Sequence, residues 1–147
     1  MTTVKTCIDQ KPKPTEIVSV GPEDRVVTVL QLMRDKRVRA VLVLQAERLA
    51  GIVTQGDCAI KVLLPGFDAH KVFVKDIMTA EPMTVKLTDP LEACMGLMAT
   101  RNFRHLPVLE AGRVVGVVSI GDVVKDTMRQ MGQQISFLET YIKGHGA

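Results

Sequence analysis

The chain has 147 residues, 46% of them hydrophobic and only 3% aromatic, with a formal net charge of +3. That supplies enough apolar side chains for one compact unit, but neither the basic excess nor the stacking rings of a nucleic-acid surface. No apolar run approaches the ~20 residues of a bilayer span, so neither nucleic acid nor membrane is expected as a partner.

From the N-terminus, MTTVKTCIDQ lacks the apolar stretch of a secretory signal, and a cytoplasmic protein is expected. Cys7, Cys58 and Cys94 are scattered and form no CxxC pair, which predicts reduced thiols rather than disulfides or a zinc site. Thr2–Gln10 has the makings of a short helix, followed by a stiff segment, Lys11-Pro-Lys-Pro14. A strand is expected over Ile17–Val20, with Asp24 as the N-cap of a helix carrying Val26, Val29, Leu30 and Met33 at helical spacing. Two apolar runs, Ala40–Leu44 and Leu49–Val53, flank a polar bridge at 45–48 and read as a hairpin. A second helix opens after Thr54, and Pro65-Gly66 ends it. Val72–Met78 then leads into a second series: a strand at Met83–Leu87, Asp89-Pro90 opening a helix, a hairpin of Leu106–Leu109 with Val114–Val118, and a helix after Ser119. Met128, Met131, Ile135, Leu138 and Ile142 extend that last helix with an apolar stripe.

The two series are one unit written twice. Residues 17–57 align with 82–122 without a gap, offset by 65, and 13 of the 41 pairs are identical. Chance would give roughly 2 or 3. The unit is strand–helix–strand–strand–helix, a mixed α/β pattern. The chain is accordingly divided into an N-terminal helix and linker (1–14), a first repeat (15–64), a connector (65–79), a second repeat (80–127) and a helical extension (128–147).

The most specific segments are Gly51-Ile-Val-Thr-Gln-Gly-Asp57 and Gly116-Val-Val-Ser-Ile-Gly-Asp122, with Arg104-His-Leu-Pro-Val108 and Val74-Lys-Asp-Ile-Met-Thr79. Together they resemble the tandem cystathionine β-synthase-type (CBS) domain pair, or Bateman module, across nearly the whole chain. The resemblance implies an α/β fold of two CBS repeats packed about a pseudo-two-fold axis, with two clefts between the sheets and a tendency to dimerise. It also implies a non-catalytic regulatory module that binds AMP, ADP, ATP, NAD or S-adenosylmethionine and passes occupancy to another protein in trans. AMP and NAD are favoured here, since few basic groups can be placed near either cleft.

Carried onto this sequence, Asp57 and Asp122 would accept hydrogen bonds from ribose hydroxyls. Thr54 and Ser119 would sit at helix N-termini facing phosphate, and Gly56 and Gly121 would allow close approach of the ligand. Ile52 and Val117, with Ile17, Val18, Met83 and Thr84, would form the adenine slots, and Arg39 and Arg104 would face phosphates. The Asp57 cleft would borrow Met83, Arg104 and His105, and the Asp122 cleft Val18, Arg39 and Ala40. Two other readings stand beside these. Thr54-x-x-Asp57 and Ser119-x-x-Asp122 are also capping boxes, and the pair would then be a structural dimerisation module with vestigial pockets. The clefts are not equivalent in sequence: Leu42 and Arg25 stand where the second repeat has Pro107 and Pro90. No histidine or cysteine grouping has metal-ligand spacing, and no P-loop, GxGxxG or catalytic triad is present.

Overall fold

The computed structural model describes residues 2–12 and 16–145, so part of the proline segment at 11–14 lies outside the described residues. The first helix, α1 (Val4–Asp9), is capped by Thr3, whose hydroxyl accepts from Thr6 N. Repeat one then supplies β1 (Ser19–Val20), α2 (Val26–Lys36), β2 (Ala40–Gln45), β3 (Arg48–Thr54) and the four-residue α3 (Gln55–Cys58). A π-helical turn, Ala59–Leu63, continues α3, with Leu64 N donating to Ala59 O and Phe67 N to Val62 O. A 3₁₀ turn at Val74–Asp76 and a short strand, β4 (Thr79–Ala80), form the connector. Repeat two contributes β5 (Val85–Lys86), α4 (Leu91–Arg101), β6 (His105–Glu110), β7 (Arg113–Ser119) and α5 (Ile120–His145), one continuous helix of 26 residues.

Two sheets result, β1-β2-β3-β4 and β5-β6-β7. In each, the opening strand runs parallel to the next and the central hairpin is antiparallel. The hairpins close on two residues, Ala46-Glu47 and Ala111-Gly112, all at positive φ, which suits the right-handed twist of the flanking strands. The strands therefore take in the first and last residue of each four-residue polar bridge that the sequence marked as a loop, leaving only the middle two as the turn.

Three local expectations are corrected. The opening strands are shorter than Ile17–Val20 and Met83–Leu87. Leu42 N donates to Val18 O, whereas Pro107 at the matching position has no N–H to give. Pairing in repeat two accordingly begins at Val85↔Val108, without a counterpart of Ser19↔Leu42. Asp24 and Asp89 are not helix caps: Arg25 and Pro90 hold those positions. The two carboxylates instead close the preceding turns by accepting from Gly21 N and Lys86 N at 2.7 and 2.8 Å. Finally, β4 had no counterpart in the sequence reading.

The cores are exchanged between repeats. Val26, Val29, Val41, Val43 and Val53 of repeat one pack with Val74 and Ile77 of the connector. Leu91, Cys94, Leu106, Val108 and Val118 of repeat two pack with Val4, Cys7 and Ile8 of α1. The backbone repeats the exchange: Val74 N donates to Asp24 O and Val26 N to Val72 O, while Val4 N donates to Asp89 O and Leu91 N to Thr2 O. Thus Thr2–Val4 does for repeat two what Val72–Val74 does for repeat one. With β3 also lying against β7, these reciprocal contacts relate the repeats by an approximate two-fold axis. Arg25 belongs to the same arrangement, its guanidinium 3.9 Å above the Phe73 ring and donating to Lys71 O.

Candidate functional site

Each Asp motif sits where a central strand turns into a helix. Thr54 keeps extended backbone, its hydroxyl accepts from Asp57 N, and Asp57 Oδ2 accepts from Thr54 N at 2.9 Å. Ser119 and Asp122 repeat the arrangement, with Ser119 N donating to Asp122 Oδ2 at 2.9 Å and Asp122 N to Ser119 Oγ at 3.2 Å. The capping box is therefore present in both repeats. It fixes the orientation of each carboxylate while occupying only part of its accepting capacity, so capping does not exclude a ligand.

Around Asp57 lies a cleft of about 500 Å³, within the usual range for small-molecule sites. Repeat one lines it with Arg39, Ile52, Thr54, Gln55, Gly56 and Asp57, the connector adds Thr79, and the chain just beyond it adds Pro82 and Met83. Asn102, Phe103, Arg104 and His105 of repeat two complete the wall. The structure thus brings Thr54, Gly56, Asp57, Ile52, Met83, Arg104 and His105 into one cavity, the grouping expected for this cleft. Arg39, which was expected at the Asp122 cleft, is among the residues lining this one. Ile17, Val18, Ala40 and Thr84 are not among the lining residues; Val18 packs instead against the core of repeat one. Gln55, Thr79, Pro82, Asn102 and Phe103 were not foreseen. Asn102 and Phe103 directly precede Arg104-His105, so extending that motif two residues toward the N-terminus would have found them.

The lining combines acidic and basic groups: Asp57 shares the cleft with Arg39 and Arg104. His105 is held below the ordinary histidine range, chiefly by burial, with Lys11, Arg39 and Arg104 acting in the same direction against the pull of Asp122. Its imidazole is neutral at pH 7, so the standing positive charge of the cleft belongs to the two arginines. Asp57 Oδ1 is paired with Lys61 Nζ at 3.1 Å, an amine that also donates to Ile77 O.

At the second acid the surroundings differ. Asp122 lies beside Ser119, Gly121 and Val117 as the repeat requires, but its Oδ2 also accepts from Lys11 Nζ at 2.9 Å. The same amine donates to Val117 O at 2.8 Å. Lys11 was not singled out in the sequence.

The family model for the CBS domain matches this chain twice, over residues 14–63 and 74–128. The chain belongs to the CBS domain family. It is a CBS pair, and two comparisons with solved structures agree. A CBS-domain protein from Burkholderia ambifaria MC40-6 is 38% identical and superposes with a TM-score of 0.84 over 87% of this chain and 95% of that one. CBSX2, solved in complex with AMP, is 25% identical with a TM-score of 0.70, covering 89% of this chain and 99% of that one. Among curated relatives, the mitochondrial CBS domain-containing protein CBSX3 of Arabidopsis thaliana is 32% identical over 127 residues. That match takes in 83% of this chain but 62% of the relative's length. Among the described residues, no helix is long and apolar enough to cross a membrane, and no group of His, Cys, Asp and Glu is placed to hold a metal ion.

Proposed function

We propose that this CBS pair is a non-catalytic regulatory module that binds an adenine nucleotide, AMP or NAD by preference, in the cleft at Asp57. The observation that carries the reading is the composition of that one cavity. A carboxylate already oriented by its own helix cap lines one cleft together with two arginines and the apolar side chains of Ile52, Met83 and Phe103. Carboxylate, apolar slot and guanidiniums match the ribose diol, base and phosphate of a nucleotide in turn. Two arginines suit one or two phosphates better than three. The AMP-bound CBSX2 structure supports the ligand class. Asp122, with Ser119, Gly121 and Val117, would form the second site of the same kind.

The output of such a module is a change in the arrangement of its repeats or of a dimer, bounded by the ligand's differential affinity for the two arrangements. A homodimer is part of this reading. Its support is the apolar stripe of α5, where Met131, Ile135, Leu138 and Ile142 are all more than half exposed.

A thermal-shift series with AMP, ADP, ATP, NAD and S-adenosylmethionine tests the proposal. At 100 times its dissociation constant a ligand adds about 2.7 kcal/mol, roughly 5–10 °C for a chain of this size. The expected result is a shift with AMP or NAD that Asp57→Asn largely abolishes. No shift with any of the five overturns it.

A further inference from the structure

The two acids are each met by a lysine, but from different directions. Lys61 stands one turn beyond Asp57 on the same helical segment, takes Oδ1, and is not among the residues lining the first cleft. Lys11 reaches Asp122 from 111 residues away and takes Oδ2, the oxygen that also receives Ser119 N. Its second acceptor, Val117 O, marks where the amine sits. By the 65-residue repeat, Val117 corresponds to Ile52, which lines the first cleft and pairs with Thr79 of β4, another lining residue. The second sheet has no fourth strand among the described residues. Lys11 therefore occupies, at the edge of β7, the ground that β4 occupies at the edge of β3. The contact is shielded, with side-chain exposures of 31% for Lys11 and 15% for Asp122.

We propose that Lys11 is a built-in occupant of the second cleft: its ammonium takes the hydrogen-bonding place at Asp122 that ribose hydroxyls would take, so a nucleotide enters only by displacing it. This rests on the reading of Asp57 and Asp122 as ribose acceptors. The Lys11–Asp122 contact is an ion pair as well as a hydrogen bond, and a ribose hydroxyl would restore only the hydrogen bond to the carboxylate, so the second cleft binds more weakly than the first. Displacement has a mechanical consequence as well. Lys11 follows directly on α1, whose Val4, Cys7 and Ile8 are part of the core of repeat two. Filling the second cleft would loosen the end of a helix that holds that repeat together, whereas filling the first would not. The module would then answer to two ranges of nucleotide concentration, and the upper one would be coupled to α1.

Calorimetric titration of the full chain with AMP tests this. Asp57→Asn isolates the second cleft, and Lys11→Met, made in that background, removes the ammonium while keeping most of the side-chain stem. The expected result is at least a tenfold gain in AMP affinity in the double variant over Asp57→Asn alone, equivalent to about 1.4 kcal/mol. Wild-type protein should give a tight and a weak phase of AMP binding. An unchanged affinity in the double variant overturns the inference, and a weakened one does so too, since Lys11 would then be a contact to the ligand. If wild-type protein binds AMP at the Asp57 cleft and Lys11→Met gains nothing, only this inference fails. If none of AMP, ADP, ATP, NAD and S-adenosylmethionine binds to any variant, the adenylate reading fails and takes the inference with it.

Discussion

Asp57 carries two jobs that a single substitution separates poorly. Its Oδ2 accepts from Thr54 N and from the Thr54 hydroxyl, and its Oδ1 holds Lys61. Asp57→Ala should therefore lower stability by about 1 kcal/mol without any ligand, the usual cost of a lost helix cap; thermal unfolding of the unliganded variant reads this directly. Asp57→Asn keeps an oxygen acceptor and is the better probe of binding. The thiols make a second prediction at this scale. Burial, seconded by the nearby carboxylates of Asp122 and Asp126, pushes the Cys7 thiol from 9.0 up to about 11. The unfolded chain thus ionises first, so the stability this group lends is intact below pH 9 and is lost as the pH rises from 9 to 11. Denaturant melts across that interval should fall less steeply for Cys7→Ala. The Asp motifs were legible because each closes on itself within three residues. Lys11 was not, because its acceptors lie more than a hundred residues away and a lone lysine carries no periodic signal.

Elements pack most tightly at the two glycines that open the Asp motifs, and the repeats differ there. A Cβ on Gly51 would come within 2.8 Å of the Thr79 carbonyl oxygen and 2.6 Å of Met78 Sδ. On Gly116 it would meet only the Ile8 side chain, with Cδ1 at 2.6 Å. A methyl at the end of isoleucine can turn aside, but the backbone of β4 cannot without giving up its pairing. Gly51→Ala should cost about 1–3 kcal/mol, in the range of overpacked cores, and Gly116→Ala distinctly less; melting temperatures of the two variants make the comparison. The hairpins could be read from apolar runs flanking polar bridges, and the long helices from three-to-four spacing. The extent of the two-residue strands β1 and β5 could not, and β4 was missed, since two residues carry too little pattern. Nor could the π-helical turn, whose i→i+5 bonds leave no mark in a pattern of period 3.6. The likeness of Thr2–Val4 to Val72–Val74 was hidden because its offset is 70 rather than 65.

For the whole molecule, the ungapped register made the pair of repeats legible, and hence the family and the fold. The grouping of residues at the first cleft came from the resemblance to CBS pairs. In the sequence the clefts differed as Leu42 against Pro107 and Arg25 against Pro90, while the contact of Lys11 with Asp122, on which their proposed inequality rests, needed the assembled structure. The dimer proposed above makes a prediction on this scale. Ile135 and Leu138 are 53% and 56% exposed, so replacing both with glutamate would leave the intramolecular packing intact while placing charge in an apolar interface. Light scattering behind size exclusion should show the mass fall from two chains to one. A mass unchanged at two chains would move the interface elsewhere.

The exchanged cores also set an order of events during synthesis. Repeat one lacks Val74 and Ile77 until the ribosome has passed the connector, so its hydrophobic centre closes soon after its own last helix emerges. Helix α1 is made before both repeats and waits longest: the core that Val4, Cys7 and Ile8 join begins at Val85 and Leu91 and is complete only once Val118 of β7 and Val123 of α5 have been made. For most of translation the nascent chain trails an apolar N-terminal helix with nowhere to dock, the kind of exposed segment that chaperones bind and that invites aggregation.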